Sequence, residues 1–154
     1  SRPKARYEAE LPIALEKLAD RLCGDRYDFG ICKEGGLMKI DNRKIVEGVI
    51  GDLRRGVNKG VISGKFHNAI ANAILSVSLK LRGSFKINKV VLSGGVFQNG
   101  FLTARAGQLL EDRGFDVFAH SKVPTNDSGI PIGQIAIANA RHKALAGTAR
   151  QRCA

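Results

Sequence analysis

Residues 88–120 read NKVVLSGGVFQNGFLTARAGQLLEDRGFDVFAH and decide the fold of the chain. The run Val90–Leu92 is apolar and rich in β-branched residues, and a serine and two glycines follow it. Such a run is typical of a strand that is buried on both faces, so a strand is predicted over residues 88–93. The FDVFA segment near the end of the stretch predicts a second short strand over 115–119.

A helix is predicted between these two strands. Asn99 is a good N-cap residue, and Gly114 is typical of the position after a helix end, which together predict a helix over 100–113. Connections of the type strand, helix, strand are nearly always right-handed, and their strands are parallel. We therefore expect a β-α-β unit whose two strands end at the same edge of a sheet.

Apolar spacing, capping residues and glycine turns place the remaining elements. Along the chain these are a helix over 8–22, a hairpin over 28–40 with its turn at KEGG, a helix after Asp41 or Asn42 that ends near Gly56, a helix over 61–82 that ends at Gly83, and a helix over 128–144 with Asp127 as its N-cap. No internal repeat and no low-complexity tract interrupts this order. The sequence therefore predicts an α/β fold.

The helix predicted over 61–82 carries the longest regular apolar signal. Its stripe steps by three and four residues through Ile62, Phe66, Ile70, Ala73 or Ile74, Val77 and Leu81. His67 and Asn68 directly follow Phe66, so both are expected at the edge of the buried stripe. A lone histidine at such an edge is more often a packed or solvated residue than a ligand.

Length and composition bound the class of protein. The 154 residues suit one domain over 1–154, with a flexible tail expected at about 145–154. The 44% of hydrophobic and 25% of charged residues are globular values, which excludes a disordered or fibrous protein. No apolar run approaches the roughly 20 residues of a membrane span, so no membrane partner is expected.

The first residues and the cysteines indicate a cytoplasmic protein. The start SRPKARYEAE has no apolar segment of a secretory signal, and because residue 1 is Ser we expect a processed product or a piece of a longer protein. Cys23, Cys32 and Cys153 have no zinc-site spacing and are expected to be buried or idle thiols.

The charge is unevenly distributed. The formal net charge is +11, and residues 53–110 contain no Asp or Glu. The basic residues of this acid-free stretch are Arg54, Arg55, Lys59, Lys65, Lys80, Arg82, Lys86, Lys89 and Arg105. Such a block indicates a phosphate-bearing ligand nearby, although plain solubility explains it as well.

Two loops are candidates for a ligand site. Residues 93–99 and 122–127 follow the two parallel strands, and ligands bind at that edge of open α/β sheets. SGGVFQN combines paired glycines with a helix start, which suits an anion. Asp127 precedes Gly129 and Gly133, whose small size admits a close neighbour. The alternative is an ordinary turn with Asp127 merely capping a helix.

Other chemical motifs are missing. GVISGK at 60–65 is one residue too short for a P-loop, and the three histidines lack the spacing of a complete metal site. No Ser, Cys or Lys lies in a recognisable nucleophile motif, so no catalytic residue is assigned.

Four segments together resemble one family. They are YEAELPIALEKLA at 7–19, KFHNAIANAIL at 65–75, VVLSGGVFQN at 90–99 and GFDVFAHSKVPTNDSGIPIGQIAIANAR at 114–141. In this order they resemble the C-terminal end of the HypF family, the carbamoyltransferases of hydrogenase maturation, over about residues 6–144. That family is similar to TobZ and to the proteins of tRNA threonylcarbamoyladenosine synthesis.

The resemblance implies one lobe of a two-lobed, actin-like and RNase H-like ATPase fold (the ASKHA fold), with a mixed sheet flanked by helices. It implies that carbamoyl phosphate and ATP form carbamoyl adenylate, whose carbamoyl group passes to the C-terminal Cys of HypE. The product is the source of the cyanide ligand of [NiFe]-hydrogenase. The remaining lobe and domains would be obligatory partners, and the chain by itself would be inactive.

The resemblance also implies site residues. Gly94, Gly95 and Asn99 match the loop that holds the nucleotide, and Asp127 matches a carboxylate that shares a divalent metal with two histidines of the other lobe. Residues expected to line the site are Ser93, His67, Asn68, Ser128 and Gly129. The chain reads Asp127-Ser128-Gly129 where the family usually reads Asp-Gly-Gly.

Two other functions fit parts of the sequence. A basic nucleic-acid-binding module would explain the +11 charge, but aromatic residues make up only 6% of the chain and Trp is missing. Nucleic acid is therefore not the expected partner. A lobe of another actin-like ATP-dependent transferase, such as a sugar or acetate kinase, would share the fold but not the NDSG loop.

Overall fold

A computed structural model of the chain describes residues 4–151, and the side chains of residues 4–143. The helices are α1 (Glu10–Leu18), α2 (Arg43–Arg54), α3 (Lys59–Phe85), α4 (Gly100–Glu111) and α5 (Ile130–Gln151). The strands are β1 (Gly30–Glu34), β2 (Leu37–Asp41), β3 (Lys89–Leu92) and β4 (Asp116–Ala119). Short 3-10 turns cover Gly95–Gln98 and Asp127–Gly129. The predicted α/β class is confirmed.

The described strands form two small sheets, one of β1 and β2 and one of β3 and β4. The mixed sheet of the prediction is thus divided between two strand pairs. The described residues form two compact units, the first up to Val91 together with Asn99–Phe118, and the second Leu92–Gln98 together with the residues from Ala119 onward. The prediction of one domain over 1–154 stays a prediction.

Some predictions fall on residues whose side chains are not described. The flexible tail expected at 145–154 and Cys153 lie outside the described side chains. Cys23 is half-buried and Cys32 is exposed. Within the described part of the chain, no helix is both long and apolar enough to cross a membrane.

The hairpin forms where glycines were expected to turn the chain. β1 and β2 are antiparallel, with Gly30 opposite Asp41 and Glu34 opposite Leu37. Gly35 and Gly36 have φ angles of 58° and 79°, a combination that other residues adopt only at a cost. Two positive φ angles in a two-residue turn match the twist of the strands, which confirms the hairpin at KEGG.

The core of the first unit is built around α3. Ile62 and Ala69 of α3 pack with Tyr27 and with Ile45 of α2. Helices α1, α2 and α4 all contact α3. Because α3 has neighbours on several sides, its buried residues are not one stripe. They are Ile62, Ser63, Gly64, His67, Asn68, Ala69, Ala71, Ala73 and Leu75.

This burial corrects the predicted stripe of α3. His67 is 3% exposed and Asn68 is 1% exposed, so both lie inside the unit and not at an edge. Leu81, which the stripe placed in the core, is 40% exposed. The spacing rule assumes one buried face, whereas this helix is covered from several directions.

Two helix ends differ from the prediction. α1 ends at Leu18 and not at 22, since the Asp20 carboxylate accepts from the N–H of Leu22 (2.9 Å) and starts a turn. α3 continues past Gly83 to Phe85, and Lys86 ends it with a φ of 59°.

The start of α5 is also corrected. Asn126, not Asp127, is the capping residue, but of the 3-10 turn that precedes α5, and its side-chain oxygen accepts from the N–H of Ser128 (3.2 Å). Asp127 instead lies in the 3-10 turn that precedes α5. The helix extends to Gln151, seven residues past the predicted end at 144.

Candidate functional site

Two loops of the second unit are joined by hydrogen bonds. We call residues 93–98, which follow β3, the glycine loop, and residues 120–129, which follow β4, the proline loop. The N–H of Gly94 donates to the carbonyl of Thr125 (3.0 Å), and the Thr125 hydroxyl donates to the carbonyl of Gly94 (2.7 Å). His120 Nε2 lies 2.9 Å from Ser93 Oγ. Ser93, Gly94, Gly95, Asp127, Ser128 and Gly129 therefore lie on two loops that hold each other.

The glycine loop leaves its backbone open to a ligand. Gly94 has a φ of 103°, which only glycine adopts readily, and a Cβ there would meet nothing within 4 Å. A Cβ on Gly95 would come no closer than 4.0 Å to Asn126. Gly95 and Val96 begin a 3-10 turn, so their N–H groups have no partner inside it. Two adjacent N–H groups of this kind suit an anion.

The end of the proline loop is tightly turned. The N–H of Gly129 donates to the Asn126 carbonyl (2.9 Å), and a Cβ on Gly129 would lie 2.6 Å from the Pro124 carbonyl. The loop packs on itself at this point and therefore has room only for a glycine at position 129. Gly133, in contrast, has open space where its side chain would be.

Asp127 is the acidic group of this loop pair. Its carboxylate is exposed, and no side chain in the described part of the molecule pairs with it. The same described residues contain no group of three or more His, Cys, Asp and Glu that would hold a metal. Carboxylate oxygen suits a hard divalent cation, so Asp127 fits one position of a metal site whose other ligands come from elsewhere.

His67 and Asn99 form a second group, within the first unit. The Asn99 side-chain oxygen accepts from the N–H of Leu102 (2.8 Å), which confirms Asn99 as the N-cap of α4. Asn99 Nδ2 lies 2.8 Å from His67 Nε2, and His67 Nδ1 lies 2.8 Å from the Ser63 carbonyl. Both ends of the Asn99 amide are thus bound by the protein.

Asn68 holds the segment before β1. Its Nδ2 donates to the carbonyls of Cys23 (2.7 Å) and Asp25 (2.8 Å), and its Oδ1 accepts from Arg105 Nε (3.1 Å). All of these partners lie within the first unit. The contacts show why a polar amide is buried at this point of α3.

Several bases of the acid-free stretch have partners in the fold. Arg55 and Lys65 pair with Asp52, and Arg82 donates to the Arg113 carbonyl (2.8 Å). Arg105 binds Asn68, as described above. Because these basic side chains are already bound within the fold, fewer basic residues remain for a ligand than the composition indicates.

The sequence did not single out His120, Thr125 and Asn126 as site residues, although all three join or shape the loops. The spacing of His120 from the other two histidines forms no complete metal motif, so spacing alone does not mark it. The available signal was positional: His120 directly follows a predicted strand at the edge where the glycine loop begins.

Comparison with known proteins identifies relatives. The family model described as carbamoyltransferase, Kae1-like domain, second subdomain, matches residues 1–134. The carbamoyltransferase HypF of Synechocystis sp. is 30% identical over 130 residues, which are 84% of this chain and 16% of that protein. The probable carbamoyltransferase HypF of Methanocaldococcus jannaschii is 30% identical over 128 residues, covering 83% of this chain and 16% of the relative.

Solved structures agree with these sequence matches. A full-length HypF crystallised in the phosphate- and nucleotide-bound form matches with a TM-score of 0.82 and 38% identity, over 90% of this chain and 18% of that one. HypF of T. kodakarensis matches with a TM-score of 0.71 and 25% identity, over 92% and 18% of the two chains. The chain spans less than a fifth of the length of these relatives. It belongs to the HypF carbamoyltransferase family, in which it matches the second subdomain of the Kae1-like domain.

Proposed function

We propose that this chain is the nucleotide-facing subdomain of a HypF-type carbamoyltransferase and works only together with the rest of that enzyme. The observation that carries the proposal is the pair of joined loops in the second unit, with open glycine backbone on one and the Asp127 carboxylate on the other. A relative with the same subdomain was crystallised in a phosphate- and nucleotide-bound form, which supports a nucleotide as the ligand.

Each loop has a separate task in this proposal. The N–H groups of Gly95 and Val96 donate to phosphate oxygens, and the hydroxyl of Ser93 lies beside them at the loop start. Asp127 is one ligand of a divalent cation, and two histidines of the other lobe complete the set. When bound, the cation neutralises phosphate charge. Without it, the Asp127 carboxylate and the phosphates would repel each other.

The reaction proposed for the whole enzyme takes carbamoyl phosphate and ATP to carbamoyl adenylate. The carbamoyl group then passes to the thiol of the C-terminal Cys of a HypE-type acceptor, in the cytoplasm. Donors from both lobes are needed to hold the reacting groups in a site with little water. The chain by itself is therefore expected to turn over no substrate.

A carbamoyl transfer assay tests the function. This chain replaces the equivalent subdomain of a full-length HypF, and transfer from carbamoyl phosphate to a HypE-type acceptor is measured with ATP. Asp127→Ala should remove nearly all activity, because one metal ligand is lost. Asp28→Ala is the matched control, since Asp28 is also an exposed aspartate but lies in the first unit. Full activity of the Asp127→Ala enzyme would contradict the site assignment.

A further inference from the structure

The buried pair of His67 and Asn99 has only one consistent set of proton positions. A backbone N–H can only donate, so the Asn99 atom that faces the N–H of Leu102 must be the oxygen. Nδ2 of the same amide therefore faces His67 Nε2 at 2.8 Å and donates to it. The ring nitrogen Nε2 must then carry a lone pair and no proton.

The other side of the ring fixes the second proton position. His67 Nδ1 lies 2.8 Å from the carbonyl oxygen of Ser63, an acceptor, so Nδ1 carries the proton. The imidazole is neutral and in its Nδ1–H tautomer. Four residues are thus linked in one direction, with Leu102 donating to Asn99, Asn99 donating to His67, and His67 donating to Ser63.

The alternative orientation of the Asn99 amide breaks two of these bonds at once. After a flip, Nδ2 would face the N–H of Leu102, donor against donor, and the oxygen would face the lone pair of His67 Nε2. The ring itself cannot turn to compensate, because it is 3% exposed and packs against Phe66 and Phe101 at centroid distances of 5.9 Å and 5.2 Å.

We propose that His67 is a positioning residue: as a neutral Nδ1–H imidazole it holds the Asn99 amide in the one orientation that caps α4, the helix that follows the glycine loop in the chain. The proposal deepens the proposed function and rests on it for the ligand, since Asn99 is counted among the nucleotide residues by resemblance alone. The histidine acts through Asn99 and needs no contact with substrate.

Hydrogen exchange at the amide of Leu102 tests the positioning role in the 154-residue chain. His67→Phe keeps a ring of similar shape but removes the acceptor, so exchange at Leu102 should become roughly tenfold faster than in the wild type. Asn99→Ser caps a helix without help from His67. The double variant should therefore return the rate at Leu102 to near the wild-type value.

This rescue separates positioning from packing. If His67 mattered only as a core side chain, Asn99→Ser would not restore protection in the His67→Phe background. Ser78→Ala is the matched control, because Ser78 donates to the Ile74 carbonyl (2.9 Å) on the same helix, and it should leave Leu102 unchanged. An unchanged Leu102 rate in His67→Phe, or no rescue, overturns the proposal.

The ring protons are tested independently by nitrogen NMR of the imidazole, a readout that remains available if His67→Phe fails to fold. The wild type should show a neutral ring protonated at Nδ1 at neutral pH. Asn99→Asp keeps a capping oxygen but turns a second oxygen toward Nε2, so the ring should carry protons on both nitrogens at the same pH. A wild-type ring protonated at Nε2, or a neutral ring in Asn99→Asp, overturns the proposal.

Titration with Mg-ATP connects the pair to the ligand. His67→Phe should weaken Mg-ATP binding by the chain roughly tenfold, and the double variant should recover part of it. If the wild-type chain binds no Mg-ATP, the proposed function fails, while exchange at Leu102 and the ring nitrogens still decide the role of His67. If the wild type and His67→Phe bind Mg-ATP equally well, then His67 does not position Asn99 for nucleotide binding.

Discussion

At the scale of single residues, Asp52 ties the first unit together. Its carboxylate is buried, and it accepts from the Tyr27 hydroxyl (2.8 Å), from Arg55 and from Lys65 Nζ (3.2 Å). The hydrogen bond from Tyr27, helped by those from Arg55 and Lys65, lowers the pKa of Asp52. Burial and the same hydrogen bond raise the pKa of Tyr27. One carboxylate thus connects the segment before β1 with α2 and α3.

Removing the Tyr27 hydroxyl should destabilise the fold. Tyr27→Phe leaves the ring in place but deprives a buried carboxylate of one donor, at a cost of about 1–3 kcal/mol in the free energy of unfolding. Urea unfolding followed by circular dichroism measures it. Tyr7→Phe is the matched control, because Tyr7 is 54% exposed, and it should have almost no effect. Equal stability of the two variants would contradict the role of the cluster.

The lowered pKa of Asp52 predicts a loss of stability in acid. The folded pKa of Asp52 lies below the ordinary value of an aspartate, so the ionised carboxylate favours folding. The contribution is fully present above the unfolded pKa, near 3.9, and is lost as the pH falls through the folded value. Urea midpoints between about pH 6 and pH 2 should fall more steeply in the wild type than in Asp52→Asn. If the urea midpoints of the two proteins fell equally steeply with pH, a group other than Asp52 would cause the loss of stability in acid.

At the scale of elements, α3 shows what the sequence could and could not predict. Its existence followed from apolar spacing, and the hairpin and the α4 cap followed from local glycine and asparagine signals, because those conformations depend on neighbouring residues alone. The burial of His67 and Asn68 depends on α4 and on the segment after α1, and the residue spacing within α3 carries no information about either.

The candidate site could likewise be predicted only in part. The glycine loop is recognisable as a sequence motif. The hydrogen bond between Ser93 and His120 is not, because it joins residues that are distant in sequence.

Two glycines of α3 should respond oppositely to alanine. A Cβ on Gly64 would lie 2.7 Å from the Asp20 carbonyl and 2.8 Å from Cys23 Cβ, so Gly64→Ala forces the segment after α1 away and should destabilise by about 1–3 kcal/mol. Gly83 lies in the same helix with nothing within 4 Å, so Gly83→Ala should stabilise by about 0.5–1 kcal/mol. Thermal unfolding of both variants measures the difference. A stabilising Gly64→Ala would contradict the close packing.

At the scale of the whole molecule, the chain has the surface of a part of a larger protein. An open apolar groove of about 520 Å³ is lined by Leu81, Phe85, Ile87, Val91 and Phe115 in the first unit. In the second unit, four isoleucines of α5 are between 49% and 69% exposed, namely Ile130, Ile132, Ile135 and Ile137. Exposed apolar patches of this kind are unusual for a free monomer, and they agree with a chain that spans less than a fifth of the Synechocystis HypF and of the nucleotide-bound HypF crystal structure.

The net charge of +11 leads to a further prediction about partners. If the chain is a subdomain of HypF, its binding to nucleic acid should be weak and without sequence preference. A fluorescence titration with a labelled oligonucleotide measures this at several salt concentrations. Tight binding that weakens steeply with salt would indicate released counterions, and it would favour the basic binding module instead.

A titration of the labelled chain with Mg-ATP, followed by backbone amide NMR, tests most directly whether the two joined loops bind a nucleotide. If they do, the shifts should be confined to the glycine loop and to residues 125–129 of the proline loop. Gly94→Ala, which strains the loop, should abolish them, whereas Gly83→Ala should not. Shifts scattered over Lys and Arg residues that fade with salt would contradict a nucleotide site and leave the glycine loop as an ordinary turn.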